Sequence, residues 1–575
     1  MSEKRNVPKL FGFRWTTLAI IAGVMVLGAA ALGLDLASEG LVYDYLWEVT
    51  GETDPAQQML GFGQYLVRFT RDQPDTAPMT RVPLADVSPY GVNTFLEQEV
   101  ELAKREQQVA MIAGAGFNWV RQQFPWEDIE IDGKGDFIDR RHDRDGDEIP
   151  DEISSWEKYD NIVDLIEQYD LHMLVRLSAP PAWSQPPGTT NRYTPPTDFQ
   201  DFVDYAVAVA ERYQGRMMHY QVWNEPNLYP EWGEQTVNAE AYTDLLCRTY
   251  TALKAVDPDI VVHTGAIGPT IDLSGRNAYD LLYLQRMYQA GAGDCFDVLS
   301  VQGYGLWSGP TDQRLRAVTI NYARNVWLRD VMVANGDAGK PIWISEAGWN
   351  PVPNDPSIAN LEQYGRVTME QAAEWAPLAY DRAIEEWPWV GVVFWWYFKR
   401  PNDAESGHSW YYFRLVEPDF STTPVYDALK AYMTDPEPKV LGAGRHGVQH
   451  SGVIHQGESP DDVLYEYRVR GTAVYLCYDA PAESALVSFD IDGEVFDGHQ
   501  LPAGSAGCVT LCDDLDGGTH RVTVAAPAGT PLLDLVVIDH AARHRLPWLL
   551  TGGVAVLFML IVLGHGVLVR LQGDD

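Results

Sequence analysis

The chain has 575 residues and a formal net charge of −39, from 81 Asp and Glu against 42 Lys and Arg. Hydrophobic residues at 46% and charged residues at 21% exclude wholesale disorder. The acidic balance argues against nucleic acid as a partner, because a phosphate backbone is repelled by most of such a surface.

The first element is apolar. Trp15 to Leu34 carries no charge and has about the 20 residues needed to cross a hydrocarbon core. Lys4, Arg5, Lys9 and Arg14 precede it, which favours a cytoplasmic tail over residues 1–14. The same run fits a cleaved export signal, with Ala29–Ala31 near its end. On either reading, the large portion beyond it is exported. Residues 35–88 read as a juxtamembrane segment.

From about residue 90, β-rich runs alternate with amphipathic helical stretches, the α/β pattern of a parallel sheet. The expected strands are 90–96, 117–124, 172–178, 218–223, 260–265, 296–302, 341–346 and 391–398. Helical stretches at 97–114, 158–169, 198–213, 239–255, 277–290 and 368–386 separate them. Eight such units predict a (β/α)8 TIM barrel over residues 89–434, with inserted loops. After Pro436 the runs VLYEYRVRG, AVYLCYD, ALVSFDIDG, GTHRVTVAA and LLDLVVID are divided by Gly, Asp and Pro turns. They predict an all-β sandwich or jelly roll over 435–540; the stretch resembles the jelly-roll modules found beside carbohydrate enzymes, which implies carbohydrate binding, and a structural spacer is an equal reading. A second apolar run, Leu546–Val569, reads as another transmembrane helix, with 570–575 a cytoplasmic tail. The large portion between them is thus expected to be extracytoplasmic, held to a lipid bilayer by two helices. The five cysteines, Cys247, Cys295, Cys477, Cys508 and Cys512, are too scattered for a disulfide scaffold and read as buried or paired thiols.

In such a barrel, chemistry collects at the C-terminal strand ends. The fourth strand runs into Asn224 and Glu225, and the seventh into Glu346. The second carries Arg121, the sixth Gln302 and Tyr304, the eighth Trp395 and Trp396. Two carboxylates at one mouth suit glycosidic bond cleavage: one donates a proton to the departing oxygen, and the other, ionised, meets the anomeric carbon. A single Glu at a strand end is usually a solvated charge. Two, each inside a run of Trp, Asn, Pro and Gly, weaken that reading.

Trp223-Asn224-Glu225-Pro226 and Ile344-Ser345-Glu346-Ala347-Gly348-Trp349 together resemble the clan A retaining glycoside hydrolases, nearest to families five and thirty-nine. The resemblance spans roughly residues 88–434. It implies that Glu225 is the general acid/base, partly desolvated by neighbouring aromatic residues, and that Asn224 bonds the sugar 2-hydroxyl. It implies that Glu346 is the nucleophile, held by Arg121 and Tyr304, with the carboxyl groups about 5–5.5 Å apart. Trp395 is expected to floor the sugar site, with Trp396 the competing choice because neighbouring strand residues face opposite ways. Gln302 stands where many relatives carry His, and it bonds sugar without titrating. Trp349 and Trp183 are expected to contact substrate; for Trp183 and Trp232, packing is an equal reading.

Asp143, Asp145, Asp147 and Asp151 recur at alternate positions around Gly146. With the Ile149 carbonyl, they resemble the calcium loops of thrombospondin type-three repeats. Ser154 stands where the closing acid is usual, and an acidic solvated loop is the alternative. The expected cofactors are no organic group, and Ca2+ at this loop. The expected activity is retaining hydrolysis of an oligo- or polysaccharide. A transglycosylase using the same residues and a non-catalytic carbohydrate-binding envelope protein are the alternatives.

Overall fold

The computed structural model describes residues 9, 10, 13–143, 149–456 and 462–540. Two compact units are present. The first gathers helices α1 (Trp15–Ala37), α2 (Leu41–Thr50) and α3 (Pro55–Arg68) with residues 312–314. Asp54 caps α3 by accepting from Gln57 N–H, with Pro55 in the first turn. Among the described residues no single helix is long and apolar enough to cross a membrane. Ala22–Ala37 and Leu41–Thr50 pass that test only together, as a pair bent by 69°. The run 546–569 lies outside the described residues. Residues 35–88, expected as one juxtamembrane segment, divide: α2 and α3 belong with α1, and residues from Gln73 onward belong to the second unit.

That unit contains the barrel. All eight expected strands form: β1 (Tyr90–Thr94), β2 (Trp119–Pro125), β3 (His172–Ser178), β4 (His219–Val222), β5 (Val261–His263), β6 (Leu299–Tyr304), β7 (Ile342–Gly348) and β8 (Val390–Trp395). They pair in parallel in cyclic sequence, β8 against β1. Single bridges His263–Val298 and Ile267–Val301 carry the sheet from β5 to β6, leaving it nearly closed. The helices that alternate with the strands are α4 (Leu102–Gly114), α5 (Glu157–Gln168), α6 (Phe199–Arg212), α7 (Ala239–Val256), α8 (Asp280–Gln289), α9 (Asn325–Ala334), α10 (Met369–Glu386) and α11 (Pro424–Met433). Helix starts obey local chemistry: Asp198 caps α6, Asn238 caps α7, and Thr368 with Gln371 forms a full capping box on α10.

The barrel interior is layered. At its N-terminal end Trp119, Leu174, Val298, Trp343, Val392 and Phe394 form one apolar cluster. His219 joins it, stacked on Trp343 at 5.1 Å. Above lies a polar layer in which Asn93 Nδ2 donates to Ser345 O at 2.9 Å and Gln221 Nε2 to Ser345 Oγ at 3.0 Å. The apolar plug excludes water from below, so every interior polar group above it needs a protein partner or the mouth itself.

Besides a short antiparallel pair, Ile138–Asp139 with Ile153–Ser154, ten further strands follow the barrel: β9 (Val440–Leu441), β10 (Gly444–Gly447), β11 (Ile454–Gln456), β12 (Asp462–Arg470), β13 (Ala473–Tyr478), β14 (Ala485–Ile491), β15 (Glu494–Leu501), β16 (Gly507–Cys512), β17 (Thr519–Pro527) and β18 (Leu532–Ile538). They form two largely antiparallel sheets, ordered β9-β12-β17-β14-β15 with β11 beside β12, and β10-β18-β13-β16. Strand β17 alternates cleanly, burying Val522, Val524 and Ala526. The expected all-β region is therefore present.

Four of the five cysteines pair, Cys247 with Cys295 and Cys477 with Cys508, leaving Cys512 free. The first bond spans 48 residues, a loop whose closure is worth about 4 kcal/mol in the chain-entropy account.

Candidate active site

The site is assembled from strand ends that bend away from regular geometry. In β7, Ser345 faces the interior, bonded to Gln221, so strict alternation would turn Glu346 outward. Register shifts in the β7–β8 pairing between Ile344 and Ala347, and in the β6–β7 pairing between Val301 and Gln302, break that alternation. Glu346 consequently also points inward, where Arg121 Nη1 meets its Oε1 at 2.8 Å and Tyr304 OH donates to its Oε2 at 2.7 Å. The carboxylate is 5% exposed and Arg121 is 2% exposed.

Arg121 is the hub. Its Nε donates to Gln221 at 2.7 Å, Nη1 also to Asn93 at 2.9 Å, and Nη2 to Asn224 Oδ1 at 2.8 Å. One rigid guanidinium fork thus ties β1, β2 and β4 to the carboxylate on β7.

Glu225 is reached by a backbone turn. Trp223 takes φ = +79°, a left-handed conformation that costs an aromatic residue about 1–3 kcal/mol. Its N–H donates to Leu177 O at 2.9 Å and its indole N–H to Glu231 O at 2.8 Å. Packing against Phe202 and Trp232 completes the restraint. Asn227 and Gly268 exchange hydrogen bonds of 2.7 and 2.8 Å, locking this loop to the one after β5. A Cβ on Gly268 would stand 2.9 Å from Glu225 Oε1, so the bare glycine backbone makes room for the carboxyl group. Gln302 Nε2 donates to Glu225 Oε1 at 3.2 Å, and Gln302 is the direct register partner of Glu346.

The two glutamates therefore share one mouth in unlike surroundings. Burial pushes Glu225 well above the ordinary carboxylate range; the charges of Glu346 and Glu231 add to this, and the Gln302 hydrogen bond and Arg121 oppose it. Glu346 instead sits between a guanidinium and a phenol. Burial and the adjacent Glu346 hold the Tyr304 phenol well above its ordinary value, so it remains a proton donor. Such an arrangement sets one carboxyl group with raised proton affinity and one carboxyl group bound by a guanidinium at the same opening.

Of the other expected contacts, Asn224, Arg121, Tyr304 and Gln302 all join this network. Trp349 does not: it is 1% exposed, its indole N–H spent on Ser308 O at 2.7 Å. Trp395 is likewise 1% exposed and packs on Trp349. The half-buried ring is that of Trp396, beside Phe95 and in the aromatic cluster that includes Tyr304. The correction rests on strand alternation, which turns one of the two tryptophans into the core. Trp183 is half-buried, edge-on to Trp126, with its indole N–H on Glu130 O at 2.9 Å.

Sequence reasoning passed over Arg176, Glu231 and Tyr364. Arg176 Nη1 reaches Asn224 Oδ1 at 3.3 Å, and Asn224 Nδ2 reaches Glu231 Oε2 at 3.2 Å. Burial, and then the charges of Glu225, Glu346 and Glu231, push the Tyr364 phenol up to about 12. Glu231 lies only six residues beyond Glu225, where proximity was a usable signal; Tyr364 sits in the long loop after β7, where none existed. A cleft of about 480 Å³ opens beside the loops after β1, β2 and β3, lined by Glu97, Glu127, Asp128, Ala182 and Arg192 among others.

Asp145 and Asp147 of the expected calcium loop lie outside the described residues, whereas Asp143, Ile149 and Asp151 lie within them. Among the described residues no group of three or more His, Cys, Asp or Glu could hold a metal ion.

No curated protein matches the chain. Solved structures similar to it include a family 39 glycoside hydrolase from Bacteroides cellulosilyticus WH2, at 17% identity over 78% of this chain and 83% of that one, with a TM-score of 0.46. A family 39 enzyme from Xanthomonas axonopodis pv. citri matches at 14% identity over 79% and 96%, TM-score 0.43. A family 39 β-xylosidase from Caulobacter crescentus matches at 13% over 79% and 97%, TM-score 0.42. The family model "Cellulase (glycosyl hydrolase family 5)" matches residues 83–376, just over half of the 575, and takes in both strand ends that carry the glutamates. The chain belongs to that cellulase family, glycosyl hydrolase family 5, and is a glycosidase.

Proposed function

We propose that the chain hydrolyses an oligo- or polysaccharide with retention of anomeric configuration, Glu346 acting as nucleophile and Glu225 as acid and then base. The observation that supports this most is the contrast between the two carboxyl groups: Arg121 and Tyr304 bind Glu346, while Glu225 is half-buried with a neutral amide on its Oε1. In the first step Glu346 attacks the anomeric carbon as Glu225 passes its proton to the departing oxygen; in the second, Glu225 takes a proton from a water whose oxygen bonds to the anomeric carbon as the Glu346–glycosyl bond breaks. Asn224, fixed beside Glu225, is placed to bond the sugar, and the half-buried Trp396 offers an aromatic face for it. The cleft after β1–β3 has room for further sugar units. The test is the stereochemistry of turnover. Proton NMR of the first-formed product from a β-aryl glycoside or oligosaccharide is expected to show the starting anomer; the opposite anomer would overturn the double displacement.

We further propose that the catalytic portion works outside the cytoplasm, anchored in a bilayer. Two disulfides support an oxidising compartment, and the charge-free run from Trp15 to Leu34 supports the anchor. In cells producing the full chain, the protein is expected to stay in the membrane fraction through an alkaline carbonate wash. It should also be cut by protease added outside intact cells or spheroplasts. Release by the wash would remove the anchor, and protection from protease would remove the orientation.

A further inference from the structure

We propose that Glu231 is a positioning residue of this site: its carboxylate fixes the Asn224 amide and places a second negative charge beside Glu225. The inference rests on the reading of Glu225 as acid/base.

The geometry allows the Asn224 side chain one orientation. Its Oδ1 accepts from two guanidinium groups, Arg121 Nη2 at 2.8 Å and Arg176 Nη1 at 3.3 Å. Its Nδ2 donates to Glu231 Oε2 at 3.2 Å. Turning the amide over would set N–H donors against two cations and an oxygen against a carboxylate, so both ends resist. Without Glu231, only one end is specified. The hydrogen bonds then run unbroken from Glu231 through Asn224 and Arg121 to Glu346, linking the loop after β4 to the proposed nucleophile.

Glu231 is itself held from both sides. Its carbonyl accepts the Trp223 indole N–H at 2.8 Å, and the next residue, Trp232, is 3% exposed, packs on Trp223 and donates its backbone N–H to Leu228 O at 2.9 Å. The same tryptophan whose strained backbone aims Glu225 thus also fastens Glu231.

The charged and titratable groups facing this pair are Glu346, Arg121, Arg176, Tyr193, Tyr304 and Tyr364. Within that set, Glu231 and Glu346 oppose ionisation of Glu225 and Arg121 favours it. Burial raises Glu231 itself above the ordinary carboxylate range, opposed by its Asn224 hydrogen bond and by Arg176; wherever Glu231 is ionised, removing its charge makes Glu225 easier to ionise. Activity needing protonated Glu225 is present below its pKa and lost as pH rises through it, so the loss moves to lower pH.

The experiment compares wild type, Glu231→Gln and Glu231→Leu, full chain in detergent, across pH. Two aryl glycosides are used, one with a poor phenol leaving group and one with a dinitrophenol. For the poor leaving group, both variants are expected to lose about tenfold in kcat/KM, with the basic limb moved down by about one pH unit. The dinitrophenyl substrate, which needs little acid assistance, should change less than about threefold in its kcat/KM. A uniform fall in rate on both substrates with an unmoved basic limb would overturn the proposal and leave Glu231 a structural residue; so would wild-type behaviour of both variants. Glu225→Gln run alongside separates the two readings. Wild-type rates for it on the poor leaving group would remove the acid/base assignment, whereas a strong loss there beside an unmoved Glu231→Gln limb would remove only the positioning role.

Discussion

Glu346→Ala is expected to lower kcat on a cleavable aryl glycoside by at least about 10³-fold, while the chain remains folded. With the carboxylate gone, no group at this mouth is paired with Arg121 to form the glycosyl–enzyme bond. The substitution also leaves a guanidinium that is 2% exposed without its anionic partner. Breaking a buried pair in this way costs about 3–5 kcal/mol, so circular dichroism and a melting curve must accompany the kinetics. The remaining bonds of Arg121 to Gln221, Asn93 and Asn224 limit that cost. A small carboxylate such as formate, added at high concentration, is expected to restore part of the turnover by entering the vacated space beside Arg121. Undiminished turnover in Glu346→Ala would end its assignment as nucleophile.

Glu225→Gln should behave differently, because its contribution depends on the leaving group. For an unactivated oligosaccharide the loss is expected at about 10²–10⁴-fold, the usual worth of a positioned proton donor. For a dinitrophenyl glycoside the first step needs no proton, so a burst of released phenol should persist, followed by slow breakdown of the glycosyl–enzyme. The pH dependence carries the same sign. Burial and two neighbouring carboxylates hold Glu225 above the ordinary range, so it stays protonated further towards neutral pH than a free glutamic acid. Activity on unactivated substrates should therefore fall as pH rises through that raised pKa, and Glu225→Gln should abolish that basic limb. Equal losses on both substrates would contradict the role.

Much of the architecture was legible in the chain. The eight barrel strands and the five strongest sandwich strands lie where β-rich runs lie, because strand burial requires those runs whatever their partners. Trp223-Asn224-Glu225 and Ser345-Glu346 could be placed at strand ends for the same reason. Helices α9 and α11 were not legible in this way, nor were strands β9, β10, β11, β15 and β16. Their patterns are brief, and their existence depends on what they pack against.

Other features needed three dimensions. Whether Trp395 or Trp396 meets the mouth is a question of one residue's phase, and Glu346 shows how a register shift can reset that phase. Trp349 reads as a sugar contact from its motif, yet its indole is buried among Tyr322, Trp375 and Trp395. Glu231 and Arg176 read as ordinary loop and strand charges until Asn224 is placed between them. The choice of cysteine partners also needed the fold: Cys477 and Cys508, 31 residues apart, face each other on paired strands β13 and β16.

Local pattern alone determined the order of the eight barrel strands, the family resemblance, and which two glutamates stand at strand ends, because periodicity and short motifs are properties of neighbouring residues. Tertiary structure decided which side chains converge. A hydrogen-bond network such as Glu231–Asn224–Arg121–Glu346 joins residues up to 225 positions apart, and only the nearly closed sheet, with its irregular strand ends, brings their atoms within 3.2 Å.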